Sequence, residues 1–158
     1  MAIIKFEGIA ADFESTFVPN GYRNLNWDNF FAENDSIGQG SGLVAVIHSG
    51  RASAFNGFGN PAGFESPDRD DDFDLNSGYF ASSLAHNLRV KVFGFDDGKK
   101  VATQVLILDP TQEFVTFSSQ FDGIDEVKFK AKGGTDPNPD DVQPATTVFA
   151  VDDLFIDF

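Results

Sequence analysis

The sequence predicts an all-β protein, an antiparallel β-sandwich of the jelly-roll type, and three observations point to this class. Apolar residues recur with a two-residue period from the middle of the chain to its end, and no helical period of useful length is present. The predicted strands recur about every 8 to 14 residues, with Gly, Pro, Asn and Asp between them. The chain has 158 residues and 19 Phe, which suits one domain, residues 1–158, whose large flat side chains fill the space between two sheets.

Seven segments are predicted to be strands. They are Ile3–Glu7, Leu43–His48, Leu88–Phe95, Val101–Leu108, Glu113–Ser118, Asp125–Lys132 and a last strand from about Thr147 to Ile156. The third and fourth should form a hairpin, because Asp96–Lys99 contains the Asp-Gly pair that favours a tight turn. We expect most of the Phe side chains to be buried between the sheets.

Composition and charge exclude several classes of function. The net charge is -14, and the 11 basic residues form no basic stripe along the chain, which disfavours nucleic acid and anionic membranes as partners. No apolar run approaches the roughly 20 residues of a membrane span, and the first residues do not form a signal peptide. The absence of Cys excludes disulfides, thiolate catalysis and zinc–thiolate sites. We therefore expect no nucleic-acid partner and no membrane insertion.

An acidic pair, Asp152 and Asp153, interrupts the apolar last strand. Strict alternation puts the two carboxylates on opposite faces, so one of them should point toward covered space. A buried carboxylate needs a partner, and no Lys or Arg lies within three residues of the pair. A hard cation, calcium above all, would satisfy this need. The alternative is a strand whose acidic residues lie at its solvated rim.

Two further acidic segments are weaker candidates for cation sites. Asp68–Asp74 has alternating Asp residues, but Leu75 and Ala81 occupy the positions where an EF-hand loop needs its Gly and its bidentate Glu. We therefore interpret this segment as a solvated loop that enters a strand. A weak cation site is an open alternative at Asp136–Asp141.

Aromatic and amide side chains are mixed in the segment that holds Tyr22, Asn26 and Trp27, as they are in many sugar-binding sites. Aromatic rings stack on the apolar face of a pyranose, while amides and Arg hydrogen-bond to its hydroxyls. Arg51 and Phe55 begin a second such segment. The alternative is that these aromatic rings close the ends of the core and that the Asn residues serve turn geometry.

The sequence offers little for catalysis. His48 and His86 are its two histidines, and neither belongs to a metal-binding or nucleophile motif. We therefore expect no enzymatic activity, while noting that two carboxylates facing each other in a cleft would indicate a glycoside hydrolase.

Six stretches resemble a family of secreted β-sandwich domains found in bacterial exported proteins, including those with PEP-CTERM sorting tails, and in fungal secreted proteins. They are Phe6-Glu7, Val18–Tyr22, Leu25–Trp27, Phe73–Phe80, Gly123–Phe129 and Phe149–Leu154. Their organisation is also similar to the calcium-stabilised jelly rolls of carbohydrate-binding modules and galactose-binding-like domains.

The resemblance implies a structural calcium ion held between the first and last strands by Glu7 and Asp152. Asp153 and a backbone carbonyl near Gly40 are the further candidate ligands. It also implies a non-catalytic, secreted or surface domain that binds a glycan, with Tyr22, Asn26, Trp27, Arg51 and Phe55 as candidate contacts. A structural or adhesive module that binds protein or extracellular matrix is the alternative.

Overall fold

The computed structural model describes residues 1–137 and 146–158, and these residues form two antiparallel β-sheets with one short helix, α1 (Gly42–Ala45). The described strands, in chain order, are β1 (Ala2–Ile4), β2 (Thr16–Phe17), β3 (Asn26–Asp28), β4 (Phe30–Asn34), β5 (Ala52–Asn56), β6 (Ala62–Glu65), β7 (Asp74–Ser82), β8 (His86–Asp96), β9 (Lys99–Leu108), β10 (Glu113–Thr116), β11 (Glu126–Thr135) and β12 (Phe149–Asp157). No helix in these residues is long and apolar enough to cross a membrane.

The strands pair in two separate sheets. Sheet 1 has the order β10-β7-β12-β5-β4-β2, and β1 also pairs with β12. Sheet 2 has the order β3-β6-β11-β8-β9. Rings of the two sheets meet between them: Phe129 of sheet 2 lies 5.8 Å from Phe30 and 5.5 Å from Phe149 of sheet 1, measured between ring centroids. The predicted antiparallel β-sandwich is therefore confirmed.

Phe is divided between the core and the surface. Nine of the 19 Phe side chains are buried, and the other ten are partly or largely exposed. The expectation that most Phe would be buried is thus wrong, because strands β2, β4, β5, β10 and β12 of sheet 1 and β8 of sheet 2 also carry Phe side chains that are not buried.

The long strands follow the sequence pattern closely. The structure has strands at five of the predicted positions in the second half of the chain, β8 to β12, and the β8–β9 hairpin turns at Asp97 and Gly98, both with positive φ. Strands β2 to β6 have only two to five residues, too few for alternation to reveal them. The first half of the chain was therefore the harder half to predict.

The predicted strand Leu43–His48 is wrong, because this segment contains helix α1. Ser41 caps the helix: its hydroxyl accepts a hydrogen bond from the Leu43 amide at 3.2 Å. The helix lies on the outer face of sheet 1, where Val46 packs against Ala81 and Ala150. Contact with these small side chains, which are distant in sequence, stabilises a helix here in place of a strand.

Candidate functional site

The segment of residues 48–52, here called the clamp segment, joins α1 to β5 and is held from one side by Glu7. The Glu7 Oε1 atom accepts hydrogen bonds from the Arg51 amide at 2.8 Å and the Ala52 amide at 2.9 Å. Gly50 has a φ of 70° and touches the same carboxylate so closely that a Cβ there would lie 2.1 Å from Oε1. Glycine is therefore required at this position of the clamp segment.

The two acidic residues of the last strand hold the clamp segment from the other side. Asp152 Oδ2 accepts hydrogen bonds from the His48 amide at 2.8 Å and the Ser49 amide at 3.2 Å. Asp153 Oδ1 accepts a hydrogen bond from the Ser49 hydroxyl at 2.8 Å. Three of the four predicted metal ligands thus contact one segment, which ties the start of the chain to its end, but their carboxylate oxygens do not all lie within 4.8 Å of one another.

Both carboxylates of the acidic pair lie on the same side of the strand, so the prediction from strict alternation is wrong. The β7–β12 register shifts between Asp152 and Phe155, and Asp153 has a φ of 43°. This irregularity lets Val151 and Leu154 both face the core, while the two acidic side chains between them reach Ser49. A β-bulge therefore creates the paired carboxylates.

Asp152 is a fully buried carboxylate that is only half satisfied. Its Oδ1 atom has no hydrogen-bond partner, although Oδ2 accepts two amides. The pKa of Asp152 is raised to about 6, chiefly by burial and to a smaller extent by the nearby Asp153 charge, against the opposing effect of the His48 and Ser49 amides. A cation bound at this oxygen would supply the partner that the buried carboxylate lacks.

Gly40, the fourth predicted metal ligand, lies elsewhere. It lines an open cleft with Leu84, His86 and Asp109, and it is exposed. Its φ of 80° and the empty space around its Cα mark a turn at the surface. The clamp segment itself, and not the glycine-rich loop, is the mid-chain segment next to the acidic residues.

Trp27 was predicted to contact a sugar, but the structure places its ring in the core, where 7% of the residue is exposed. The ring centroid lies 5.0 Å from that of Phe64 and 5.6 Å from that of Phe6. The indole N–H donates to the Tyr22 carbonyl at 2.9 Å, and the half-buried Tyr22 hydroxyl donates to the Lys5 carbonyl. These aromatic residues close one end of the core, which is the alternative that the sequence left open.

The remaining polar candidates, Asn26 and Arg51, lie on separate surfaces. Asn26 lines a polar cleft of about 390 Å³ over sheet 2, together with Asp28, Glu65, Glu126 and Lys128. The Arg51 guanidinium is exposed and donates through Nε to Asp35 Oδ1 at 2.9 Å, and its Nη2 lies 3.7 Å from Asp12. Arg51 is therefore paired within the chain.

Phe55 lines an apolar groove on the outer face of sheet 1, here called the Phe groove (Phe31, Phe55 and Phe58). The groove has a volume of about 480 Å³, and Ser15 and Ser83 add hydroxyl groups to its wall. The rings of Phe31 and Phe55 are stacked with centroids 5.8 Å apart. On the other side, Phe17 packs on Phe31 at 4.0 Å. Sequence reasoning missed Phe31 as a wall residue, because only the β4–β5 pairing places it beside Phe55.

Phe58 is 82% exposed, yet its position is fixed by the loop that carries it. Its φ is 56°, a left-handed conformation that is rare for a residue with a side chain. The Asn29 side-chain amide donates to the carbonyls of Gly57 at 3.1 Å and Pro61 at 3.0 Å. Gly57 has no room for a Cβ, which would lie 2.4 Å from the Phe31 ring. The loop thus presents an exposed ring over the groove in one conformation.

Sheet 2 carries a group of cations on its outer face, here called the basic ladder (Arg89, Lys91, Lys130 and Lys132). Strands β8 and β11 bring them together, although no stripe is visible along the sequence. The basic residues thus form no stripe along the sequence but lie together on the folded sheet.

Acidic residues cluster at the β8–β9 turn. Carboxylate oxygens of Asp96, Asp97 and Asp125 lie within 4.8 Å of one another, and buried Asp125 accepts the Asp97 amide at 2.9 Å. The predicted loop Asp68–Asp74 is exposed up to Asp72 and leads into β7, as expected. Asp140 and Asp141 of the other acidic segment lie outside the described residues.

No family model and no curated protein matches this chain. Among solved structures, it is similar to a DUF4465 family protein from Bacteroides caccae ATCC 43185, with a TM-score of 0.64 and 15% identity over 99% of this chain and 98% of the other. Two carbohydrate-binding modules give a TM-score of 0.42 each. CBM51 from Clostridium perfringens GH95, in complex with methyl-galactose, is 11% identical over 97% of this chain and 98% of its own. TmCBM61, in complex with β-1,4-galactotriose, is 9% identical over 88% and 94%. The likeness to the DUF4465 protein shows a shared β-sandwich fold.

Proposed function

We propose that this chain is a non-catalytic carbohydrate-binding domain and that the Phe groove is its sugar-binding site. The observation that carries the proposal is Phe58, an exposed ring held over the groove by a left-handed backbone and by Asn29. Phe13 is exposed at a positive φ as well, but Phe58 differs from it because its ring lines an apolar groove and lies 6.3 Å from the Phe31 ring, so that it extends an apolar patch.

A sugar suits the chemistry of the groove. Pyranose rings have apolar C–H faces that pack on aromatic rings, and the Phe groove offers Phe55, Phe31 and Phe58 for this contact. Ser15 and Ser83 also line the groove, and the Ser15 hydroxyl, which donates to Glu33 Oε2 at 3.0 Å, can still accept a hydrogen bond. Its volume of about 480 Å³ is within the usual range for a small-molecule site.

Two observations favour binding without catalysis. The His48 ring is stacked on the Tyr79 ring at 3.8 Å, and the exposed His86 lies 3.5 Å from Asp109, so neither His lines the Phe groove. The charged side chains of the described residues also lie outside that groove. It therefore offers contact area and hydroxyl groups, which suffice for recognition.

Binding to a glycan array, followed by calorimetry on the best ligand, tests this proposal. Phe58→Ala should weaken binding at least tenfold and leave the fold intact, because most of the Phe58 side chain is already in water. Phe13→Ala is the matched control, since Phe13 is 79% exposed and also has a positive φ, 64°. Equal binding by the two variants, or cleavage of the bound glycan, would contradict the proposal. Capture of a protein or matrix ligand through the same ring would favour the adhesive alternative.

We also propose that a calcium ion binds beside the clamp segment, with Asp152, Asp153 and Glu7 as its carboxylate ligands. The buried, unpartnered Oδ1 of Asp152 supports this proposal, and oxygen-only donors of this kind suit calcium. Thermal unfolding followed by Trp27 fluorescence, with calcium and with excess chelator, is the test. Calcium should raise the midpoint reversibly in the wild type but not in Asp152→Asn or Glu7→Gln, and identical curves for the wild type would contradict the proposal. Both proposals favour a secreted or surface location.

A further inference from the structure

The four cations of the basic ladder face one another directly across two strands. In the β8–β11 register, Lys130 pairs with Lys91 and Lys132 pairs with Arg89. Residues paired in an antiparallel sheet point to the same face, and all four side chains are exposed. Successive rungs lie about 6.7 Å apart along each strand. The fold thus builds a regular two-by-two array of positive charges.

This arrangement is unfavourable for the folded protein by itself. Like charges directly opposite each other in a sheet are destabilising, and the ladder repeats this arrangement on two successive rungs. None of the four cations has an ion pair with any residue that the structure describes. The chain has 25 acidic residues for 11 basic ones, so opposite charges were abundant. Folding does not explain the ladder, whereas binding to an anion does.

The overall negative charge does not prevent this. At physiological salt the Debye length is about 8 Å, so charges on the opposite sheet are largely screened from a polymer that lies on the ladder. Lys128, the next outward residue of β11, is paired with Glu126 at 2.9 Å. The positive field is therefore local and ends at that pair.

The surface next to the ladder is apolar. In the β8–β9 register Lys91 also pairs with Val105, and Arg89 also pairs with Ile107. These two apolar side chains are exposed at 41% and 47%. Each rung thus consists of two cations and one aliphatic side chain, which suits a ligand that carries anionic groups on one edge and C–H groups on another.

We propose that the basic ladder binds an anionic polysaccharide, a chain of sugars that bear carboxylate or sulfate groups. The anions would pair with the two cations of each rung, and the sugar rings would pack on Val105 and Ile107. This proposal concerns a different sheet from the Phe groove and does not depend on it.

Nucleic acid fits this face less well. The β3–β6 side of the same sheet carries Asp28, Glu65 and Glu126 around the polar cleft, which limits the positive surface to two strands and repels the broad phosphate surface of a duplex. A single strand is usually bound by stacking its bases on free aromatic rings. The nearest ring on this face, Phe93, is covered by the Lys100 ammonium at 5.1 Å.

The test measures binding of the full chain to polygalacturonate, dextran sulfate, neutral dextran and oligo-dT by calorimetry, at low and at high NaCl. We expect one of the two anionic polysaccharides to bind, and its affinity should be at least tenfold lower at high NaCl. Binding of polygalacturonate would identify carboxylate as the recognised group, and binding of dextran sulfate would identify sulfate. Lys91→Gln/Lys130→Gln should reduce the affinity at least tenfold. The matched control, Arg23→Gln/Arg69→Gln, removes two exposed charges elsewhere and should bind as the wild type does.

Lys130→Glu separates binding from folding. It replaces one like-charge rung by an ion pair, so it should abolish binding while the thermal midpoint stays the same or rises. Phe58→Ala should leave binding to the anionic polymer unchanged, which keeps this proposal separate from the one on the Phe groove. No binding to either anionic polysaccharide, equal binding of neutral dextran, tighter binding of oligo-dT, or equal loss in the control variant would each overturn the proposal.

Discussion

Asp152 combines a structural contact with an electrostatic penalty. Its Oδ2 atom caps two amides of the clamp segment, whereas its Oδ1 atom is buried with no partner. Because burial favours the neutral acid, the pKa of this residue lies at about 6. Without a cation, the clamp segment is therefore held by a carboxylate that is ionised at neutral pH although its buried surroundings favour the neutral acid.

The stability of the metal-free protein should increase as the pH falls from 7 to 5. The folded pKa of Asp152, about 6, lies above the ordinary value of 3.8, so the folded state binds the proton more tightly and ionisation above pH 6 lowers the free energy of unfolding. At about 1.4 kcal/mol per pH unit, the gain between pH 7 and 5 is on the order of 1 kcal/mol, and the full effect of about 3 kcal/mol is reached only below pH 3.8. Urea unfolding in chelator, followed by Trp27 fluorescence, measures it.

Asp152→Asn provides the comparison for that measurement. Burial also raises the pKa of Glu33, so the wild-type curve contains more than one contribution of this sign. The difference between the variant and the wild type isolates Asp152, since the amide does not titrate. Parallel curves for the two proteins between pH 5 and 7 would contradict the assignment.

At the scale of elements, α1 depends on a close contact between its first residue and sheet 1. A Cβ on Gly42 would lie 1.6 Å from the Ser82 carbonyl oxygen, which is backbone and cannot move aside. A helix of four residues has little stability of its own. Its contact with the sheet therefore determines whether it forms.

Gly42→Ala should lower the free energy of unfolding by about 3 kcal/mol, because the methyl group forces α1 away from β7. Gly40→Ala is the control. Gly40 has a φ of 80° and nothing within 4 Å of an added Cβ, so only backbone strain of about 1 kcal/mol is expected there. Chemical denaturation compares the two variants, and a similar loss in both would show that α1 does not need the close approach.

The basic ladder makes a prediction for the pairing of β8 and β11. Lys130→Glu should raise the free energy of unfolding by about 0.5 kcal/mol, because a repulsive cross-strand pair with Lys91 becomes an attractive one. Arg69→Glu changes the net charge equally but lies in an exposed loop outside the ladder. It should leave stability unchanged or slightly lower it. Destabilisation by Lys130→Glu would show that charge repulsion between Lys130 and Lys91 does not lower the stability of the folded protein.

At the scale of the whole molecule, the net charge of -14 opposes compaction. Raising NaCl from 20 to 500 mM should therefore increase the free energy of unfolding, because salt screens the repulsion among exposed carboxylates. Urea titrations at the two salt concentrations test this, with chelator present so that a bound cation does not contribute. Stability that is independent of salt would mean that local ion pairs balance the excess charge.

The fold class and the strands of the second half of the chain were predictable from the sequence. Strands β8, β9 and β11 were predictable because alternation is a property of neighbouring residues, and these strands, of ten or eleven residues, are long enough to show it. The Asp97-Gly98 turn was also predictable from neighbouring residues, because Asp and Gly are favoured where two successive positions have a left-handed backbone. The resemblance pointed to Glu7, Asp152 and Asp153, and their side chains accept hydrogen bonds from one segment, residues 48–52, while their role as metal ligands stays a prediction.

What these residues contact follows from the folded structure and not from the local sequence. The bulge at Asp153, helix α1, the burial of Trp27 and the pairing of Lys130 with Lys91 all depend on register and packing between segments that are far apart in sequence. A local pattern contains no information about which residue lies opposite on another strand. The surfaces that carry the binding proposals, the Phe groove and the basic ladder, exist only because the strands pair as they do.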